Sequence, residues 1–191
     1  IIRKICNKNN ICLIFDECTS GFRETFGGLH LKYGINPDIV LFGKAIGNGY
    51  SITSVVGKKK IMQKSNNTFI SSTFWSERIG YAAGIATLKE MRRIRSWKVV
   101  KSKGRYIKNS LKKIAKKNGI SIVFYGLDSL IMFELKEIKN INYIKIITNE
   151  MLKKKFLANN LIYVSVSHSK KLIDLYIKHM DKIFKKLSKQ R

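Results

Sequence analysis

Two polar residues stand directly behind two apolar runs of this chain, and their types suit one particular chemistry. The run 11–15 ends at Asp16, and the run 39–42 is followed at once by a glycine and Lys44. Two strands that each end in a polar side chain would bring a carboxylate and an amine to one site. This pair suits pyridoxal phosphate (PLP), whose aldehyde takes a lysine as a Schiff base and whose ring nitrogen takes an aspartate.

The surroundings of Lys44 support a site at this point of the chain. Gly43, Gly47 and Gly49 flank the lysine, and such glycines mark backbone that turns tightly or approaches a ligand closely. The apolar runs before Asp16 and Lys44 are continuous, which is typical of strands covered on both faces. We therefore expect the back half of an α/β domain whose strand ends carry the site.

Hydrophobic periodicity predicts further elements on either side of a long helix at 77–95. Before that helix we expect a strand at 51–56, a short basic helix at 58–64 and a strand entering a loop at 69–75. After it we expect helices at 97–117 and 143–156, strands at 120–124, 130–135 and 161–166, and an amphipathic helix at 172–187.

This pattern divides the chain in two. Residues 1–76 are expected to form the C-terminal part of a large α/β domain, residues 77–96 a linking helix, and residues 97–191 a small α+β domain. The chain opens at Ile1 without a methionine and reaches its first strand within about a dozen residues. We therefore expect the later part of a longer protein.

The charge balance is strongly basic and raises the question of a nucleic-acid partner. The formal net charge is +26, from 38 Lys and Arg against 12 Asp and Glu. Residues 1–80 hold 11 basic and 5 acidic residues (+6), and the remainder holds 27 and 7 (+20). The later lysines are scattered along amphipathic segments and rarely adjoin aromatic residues. We therefore interpret the basic residues as part of a solvated surface, which attracts anions at low salt. We expect no nucleic-acid partner.

The cysteines and histidines lack the spacing of a disulfide framework or a metal site. Cys6, Cys12 and Cys18 include no Cys-x-x-Cys pair, and their odd count favours free thiols in a reducing compartment. His30 and His168 stand in no ligand-like cluster. We expect packed or hydrogen-bonded side chains at these positions and no bound metal.

Four motifs, in order, resemble the class III PLP-dependent aminotransferases, and within them the glutamate-1-semialdehyde aminomutase-like branch. They are Leu13-Ile-Phe-Asp-Glu-Cys-Thr-Ser-Gly-Phe-Arg23, Tyr33-Gly-Ile-Asn-Pro-Asp38, Gly43-Lys-Ala-Ile-Gly-Asn-Gly49 and Ser72-Thr-Phe-Trp75. The signal lies in the ordered set, because any one motif alone is weak. The resemblance implies a fold-type-I PLP-dependent transferase, as the C-terminal part of its large domain plus its small α+β C-terminal domain.

By this resemblance, Asp16 and Lys44 are the predicted catalytic residues. Asp16 would pair with the pyridine nitrogen of PLP and keep it protonated, so that the ring withdraws electrons from the substrate's α-carbon. Lys44 would form the Schiff base and, once the substrate displaces it, carry the proton between that carbon and the cofactor. The lysine must spend part of this cycle as a neutral amine, which burial beside the cationic cofactor would favour.

The resemblance also implies two cofactor contacts beyond this pair. Cys18 occupies the place where the family often has an apolar residue against the ring face. Thr73 would donate to the cofactor phosphate from the neighbouring subunit of a dimer. Bulky Phe74 and Trp75 replace the family's smaller residues after Thr73, so substrate specificity does not carry over. The family's phosphate-binding loop and ring-stacking aromatic precede the equivalent of Ile1, so we expect the fragment to be inactive alone.

The resulting hypothesis is PLP-dependent amino-group transfer, by an aminotransferase or an aminomutase, through the Lys44 Schiff base. Its substrates would be a small-molecule amine donor and a carbonyl acceptor, and the complete protein would be a homodimer. Two alternatives stay open: a basic nucleic-acid-binding protein that uses residues 98–191, and an inactive remnant. No segment has the apolar length of a membrane span and no leader opens the chain, so we expect a soluble cytoplasmic protein without a membrane partner.

Overall fold

The structure of the protein is a computed structural model that describes residues 1–136, 138 and 142–189. The end of the predicted small domain, residues 190 and 191, lies outside the described part. The chain divides into two units, Ile1–Lys98 and Val99–Arg191. Each unit has its own three-stranded sheet and its own apolar core.

The sheet of the first unit sets the position of Asp16. Its strands, in spatial order, are β1 (Ile14–Asp16), β2 (Ile39–Phe42) and β3 (Ser54–Gly57). β1 and β2 run parallel with Asp16 opposite Leu41, whereas β3 pairs with β2 in the antiparallel direction. Because β1 and β2 are parallel neighbours, their carboxyl ends lie at the same edge of the sheet.

The helices of the first unit are α1 (Ile2–Lys8), α2 (Lys59–Met62) and α3 (Arg78–Ile94), with 3₁₀ turns at 29–33, 44–46 and 63–67. α3 approaches the segment before β3 closely. A Cβ at Gly80 would lie 2.5 Å from the carbonyl oxygen of Ser51, and one at Gly84 would lie 3.3 Å from Ile52. A small core joins these elements, with Val40, Phe42 and Ile46 buried against Phe15, Phe22, Ile52 and Leu88.

The second unit is built around an antiparallel sheet and a larger core. Its strands, in order, are β4 (Ile122–Gly126), β5 (Leu130–Leu135) and β6 (Leu161–Tyr163). Its helices are α4 (Ser96–Lys117), which begins just before the unit boundary, α5 (Tyr143–Leu152) and α6 (Lys170–Ser188). Buried side chains recur at helical spacing along α4, at Ile107, Leu111 and Ala115, and β5 contributes the fully buried Phe133.

The predicted apolar stripe of the final helix forms much of this core. Ile173, Tyr176, Met180, Ile183, Phe184 and Leu187 are all buried. Leu172, predicted on the same stripe, is 40% exposed because it lies in the first turn of the helix, beside the N-cap Ser169. Among the helices described, none combines the length and apolarity needed to cross a membrane.

Several predicted elements are shorter in the structure, and one prediction is wrong. The strands expected at 11–15, 51–56 and 161–166 are observed as β1, β3 and β6. The helix expected at 143–156 ends at Leu152, and the chain turns with Lys155 at a φ of 63°. No strand forms at 69–75: this segment pairs with no described strand, and without a hydrogen-bonding partner it stays irregular, with Phe69 96% exposed.

The strands of the first unit are less covered than the sequence predicts. Val40 and Phe42 of β2 are buried, as expected for the central strand. Ile14 of β1 is 52% exposed, since β1 lies at the edge of the sheet and the described residues place no strand beside it. Edge strands commonly carry such an unpaired backbone row.

Candidate active site

The parallel pairing of β1 and β2 brings Asp16 and Lys44 to the same edge of the sheet. Asp16 is the last residue of β1, and Lys44 follows β2 after Gly43. The pKa of Asp16 is lowered, first by the hydrogen bond that the backbone N–H of Cys18 donates to its Oδ1 at 3.0 Å. The positive charge of Lys44 lowers it further to a smaller extent. Asp16 is therefore a carboxylate at neutral pH.

Lys44 has an unusual backbone and a defined side-chain partner. Its φ of 40° lies in the left-handed region, which residues with a side chain seldom adopt and which is concentrated at functional sites. Its Nζ donates a hydrogen bond to the hydroxyl oxygen of Thr19 at 2.5 Å. The Lys44 side chain is exposed, and its burial beside the cofactor stays a prediction.

Cys18 places a neutral thiol between the two strand ends. A Cβ at Gly43 would lie 3.5 Å from the Cys18 sulfur, so the thiol sits against the residue that precedes Lys44. Burial raises the pKa of this thiol, and its hydrogen bond to Asp16 raises it further. The side chain is thus a small uncharged group beside the carboxylate.

Thr73 stands apart from these three residues in the described contacts. It is exposed and begins the turn 73–76, which precedes α3. Phe74 and Trp75 in the same turn are 52% and 57% exposed, and the Trp75 carbonyl accepts a hydrogen bond from the Tyr81 hydroxyl at 3.1 Å. The role assigned to Thr73 stays a prediction.

Next to Asp16 lies a buried carboxylate, Glu17, to which the sequence pattern assigns no role. Glu17 is only 3% exposed, and it accepts hydrogen bonds from the backbone N–H groups of Leu29 and His30 and from the Ser20 hydroxyl. The His30 ring Nδ1 lies 2.8 Å from the same carboxylate. Burial acts to raise the pKa of Glu17, but these hydrogen bonds outweigh it and the pKa is lowered. No sequence periodicity or motif indicates this contact between Glu17 and His30, which lie 13 positions apart.

An open cleft of about 300 Å³ lies beside β1. Asp16, Glu17, Ser20 and His30 contribute to its walls. Lys44 is not among the residues that line this cleft.

PLP presents a ring nitrogen, an aldehyde and a phosphate to a protein, and the residues at the ends of β1 and β2 suit the first two of these groups. An anionic carboxylate suits the protonated ring nitrogen, and a primary amine with a hydroxyl partner suits the aldehyde. The neutral Cys18 thiol beside the carboxylate suits a ring face. The described contacts bring no phosphate-binding group to this edge, since Thr73 lies elsewhere in the chain.

Solved structures show the same fold. The FumI protein of Sphingopyxis sp. MTA144, solved in its PLP internal aldimine form, has a TM-score of 0.91 at 20% identity, over 98% of this chain and 46% of that one. A transaminase with PLP bound has a TM-score of 0.87 at 19% identity, over 98% of this chain and 47% of that one. The chain therefore has the fold of PLP-dependent transaminases, and the predicted fold class is confirmed.

The family follows from the sequence comparison. The family model "Aminotransferase class-III" matches residues 1–184, and the chain belongs to that family. A 3-aminobutyryl-CoA aminotransferase of Cloacimonas acidaminovorans is 39% identical over 65% of this chain and 30% of its own length. A glutamate-1-semialdehyde 2,1-aminomutase of Thermodesulfovibrio yellowstonii is 31% identical over 98% of this chain and 48% of its own length. The chain spans about half the length of the curated relatives whose match covers nearly all of it.

Proposed function

We propose that the protein acts in PLP-dependent amino-group transfer, as an aminotransferase or an aminomutase. The observation that carries this proposal is the meeting of Asp16 and Lys44 at one sheet edge, in a chain of the class-III aminotransferase family. The enzymes named among its relatives support a small-molecule amine donor and a carbonyl acceptor as substrates. No observation favours the nucleic-acid or remnant alternatives.

When bound, PLP supplies an electron-withdrawing ring that stabilises negative charge on the carbon bearing the transferred amine. Asp16 would hold the ring nitrogen, and the lowered pKa of its carboxyl group keeps it anionic, so the nitrogen would retain its proton. Lys44 would hold the aldehyde end through Nζ and, once freed, would move a proton to and from the substrate carbon with the same atom. Cys18 would pack against the ring face without adding charge.

We extend the proposal to the assembly of the protein. Thr73 would contribute its hydroxyl to the phosphate of a partner subunit, which its position in the exposed turn 73–76 supports. The complete enzyme would then be a homodimer. Residues 1–76 would belong to the large PLP-binding domain, residues 77–96 to the linking helix and residues 97–191 to the small domain. A cytoplasmic location stays a prediction.

Borohydride trapping tests the assignment of Lys44. The protein encoded by the entire reading frame that contains these 191 residues is loaded with PLP, reduced with borohydride, digested and mapped by mass spectrometry. We expect the pyridoxyl group on Lys44, and we expect the Lys44→Ala variant to lose it. Lys58→Ala provides a matched control, because that lysine is ion-paired to Asp38 away from the sheet edge. A pyridoxyl group on a different lysine, or none in the wild type, would contradict the proposal.

A further inference from the structure

The partner of the Lys44 amine is a hydroxyl rather than a carboxylate. Nζ lies 2.5 Å from the Oγ1 of Thr19, across 25 positions of sequence. Asp16 is near enough for its pKa to respond to the charge of Lys44, yet within the described part of the chain no carboxylate forms an ion pair with this lysine. The strand-end site therefore holds its amine through a neutral group.

Thr19 is itself fixed in place. The Nε of Arg23 donates a hydrogen bond to the Thr19 carbonyl at 2.7 Å. Around Thr19, the backbone N–H of Gly21 donates to the Glu17 carbonyl at 2.8 Å and the Ser20 hydroxyl donates to the Glu17 carboxylate at 3.0 Å. A threonine on such a hydrogen-bonded turn presents its hydroxyl at a defined point.

The lysine, in contrast, has little else to hold it. Its side chain is exposed and carries its amine on a flexible four-carbon stem with many accessible rotamers. The left-handed backbone of Lys44 fixes the position of its Cβ but does not fix the position of its Nζ. A partner at Nζ is therefore needed to keep the amine at the sheet edge.

We propose that Thr19 is a positioning residue for Lys44, holding its Nζ at the end of β2 whenever the amine is not attached to another group. This inference rests on the proposed function, in which the freed amine carries a proton. A hydroxyl suits that task because it accepts a hydrogen bond from an ammonium and donates one to a neutral amine. A carboxylate would accept from the ammonium alone and would favour that form.

Two substitutions of Thr19 separate the hydroxyl from the shape of the side chain. Thr19→Val keeps the branched shape and removes the hydroxyl, whereas Thr19→Ser keeps the hydroxyl. Thr68→Val is the matched control, because the hydroxyl of that exposed threonine donates to the Ser65 carbonyl, outside the site. Lys58, ion-paired to Asp38, serves as an internal fold probe whose labelling must stay constant in all variants.

The first measurement requires no cofactor. The protein is treated with trace acetic anhydride at one fixed pH without PLP, and acetylation of each lysine is quantified by mass spectrometry. We expect Lys44 to be acetylated about tenfold faster in Thr19→Val, because that variant loses one hydrogen bond to a charged group. In Thr19→Ser and Thr68→Val we expect acetylation of Lys44 at the wild-type rate. A Lys44 rate that does not rise in the valine variant, or that rises equally in the serine variant, overturns the inference.

The second measurement uses the PLP-loaded enzyme with an amine donor that it turns over. Thr19→Val should lower kcat about tenfold with KM nearly unchanged, and Thr19→Ser should restore kcat, since the hydroxyl acts on the proton carrier and not on substrate binding. A kcat that serine fails to restore contradicts a positioning role. Failure of the proposed function is distinguishable: borohydride would then leave Lys44 unlabelled while its acetylation still depended on Thr19.

Discussion

The carboxylate of Glu17 is hydrogen-bonded twice to His30, once to its backbone N–H at 2.9 Å and once to its ring Nδ1 at 2.8 Å. Because Glu17 directly follows Asp16, these contacts fold the segment 18–30 back onto the end of β1. That segment carries Cys18 and the threonine that holds Lys44. A single buried carboxylate therefore organises the loop on which the candidate site depends.

We predict that Glu17→Gln loosens this loop. The amide can accept some of the hydrogen bonds but loses its charge, so we expect a stability loss of about 1–3 kcal/mol. The measurement is hydrogen exchange by mass spectrometry, in which the amides of Leu29 and His30 should exchange faster. Ser20→Ala, which removes one neutral donor to Glu17, should have a smaller effect. Unchanged protection of the two amides would show that the carboxylate does not hold the loop.

We predict that acid destabilises the first unit through two carboxylates. The pKa of Asp38 is strongly lowered by the backbone N–H of Leu13 and by its contacts with Lys58 and Arg3, and the pKa of Glu17 is lowered as well. A lowered pKa gives stability that is present above the ordinary values, 3.8 and 4.5, and is lost as the pH falls through the folded-state values.

The corresponding measurement is denaturant unfolding of the first unit at several pH values, followed by tryptophan fluorescence. Stability should fall continuously below about pH 4.5. In Asp38→Asn it should be lower at neutral pH, since Arg3 and Lys58 lose their partner, and it should depend less on pH. An equally steep acid dependence in Asp38→Asn would exclude this carboxyl group as a cause.

The features that the sequence could predict are those that follow from local pattern. Asp16 and Lys44 each follow an apolar run, and parallel pairing of those runs is enough to bring them together. The stripe along α6 is visible because burial at positions such as Ile173 and Met180 repeats with the period of a helix.

The features that it could not predict depend on contacts between residues distant in sequence. Nothing in the pattern relates Thr19 to Lys44 or Glu17 to His30, because each contact follows from how one loop closes. At 69–75, in contrast, the sequence predicts a strand that the structure does not form. Its composition favours a strand, but a strand requires a hydrogen-bonding neighbour, and the described residues supply none.

We predict that Asp16→Asn weakens cofactor-dependent activity while leaving the fold intact. The carboxylate is exposed and, among the residues that the structure describes, forms no buried ion pair, so its neutral isostere should cost little stability. Loss of a charge-assisted hydrogen bond to the ring nitrogen should lower kcat by about ten- to a hundredfold. Activity of the PLP-loaded enzyme, with thermal unfolding as the fold check, measures this. Asp174→Asn, which changes a half-exposed, ion-paired residue of α6, is the control that should retain activity. Equal activity of both variants would remove Asp16 from the site.

At Gly104 of α4 we expect alanine to have the opposite of its usual effect inside a helix. Gly→Ala inside a helix normally stabilises by roughly 0.5–1 kcal/mol. At Gly104 of α4, however, a Cβ would lie only 1.7 Å from the carbonyl oxygen of Asp128, so the helix or the turn after β4 must move. We expect Gly104→Ala to destabilise the second unit by about 1–3 kcal/mol, as overpacking does, in urea unfolding followed by circular dichroism. Ser102→Ala, at an exposed position of the same helix, controls for helix propensity and should be neutral or slightly stabilising. A Gly104→Ala protein as stable as the wild type would mean that α4 does not contact this turn so closely.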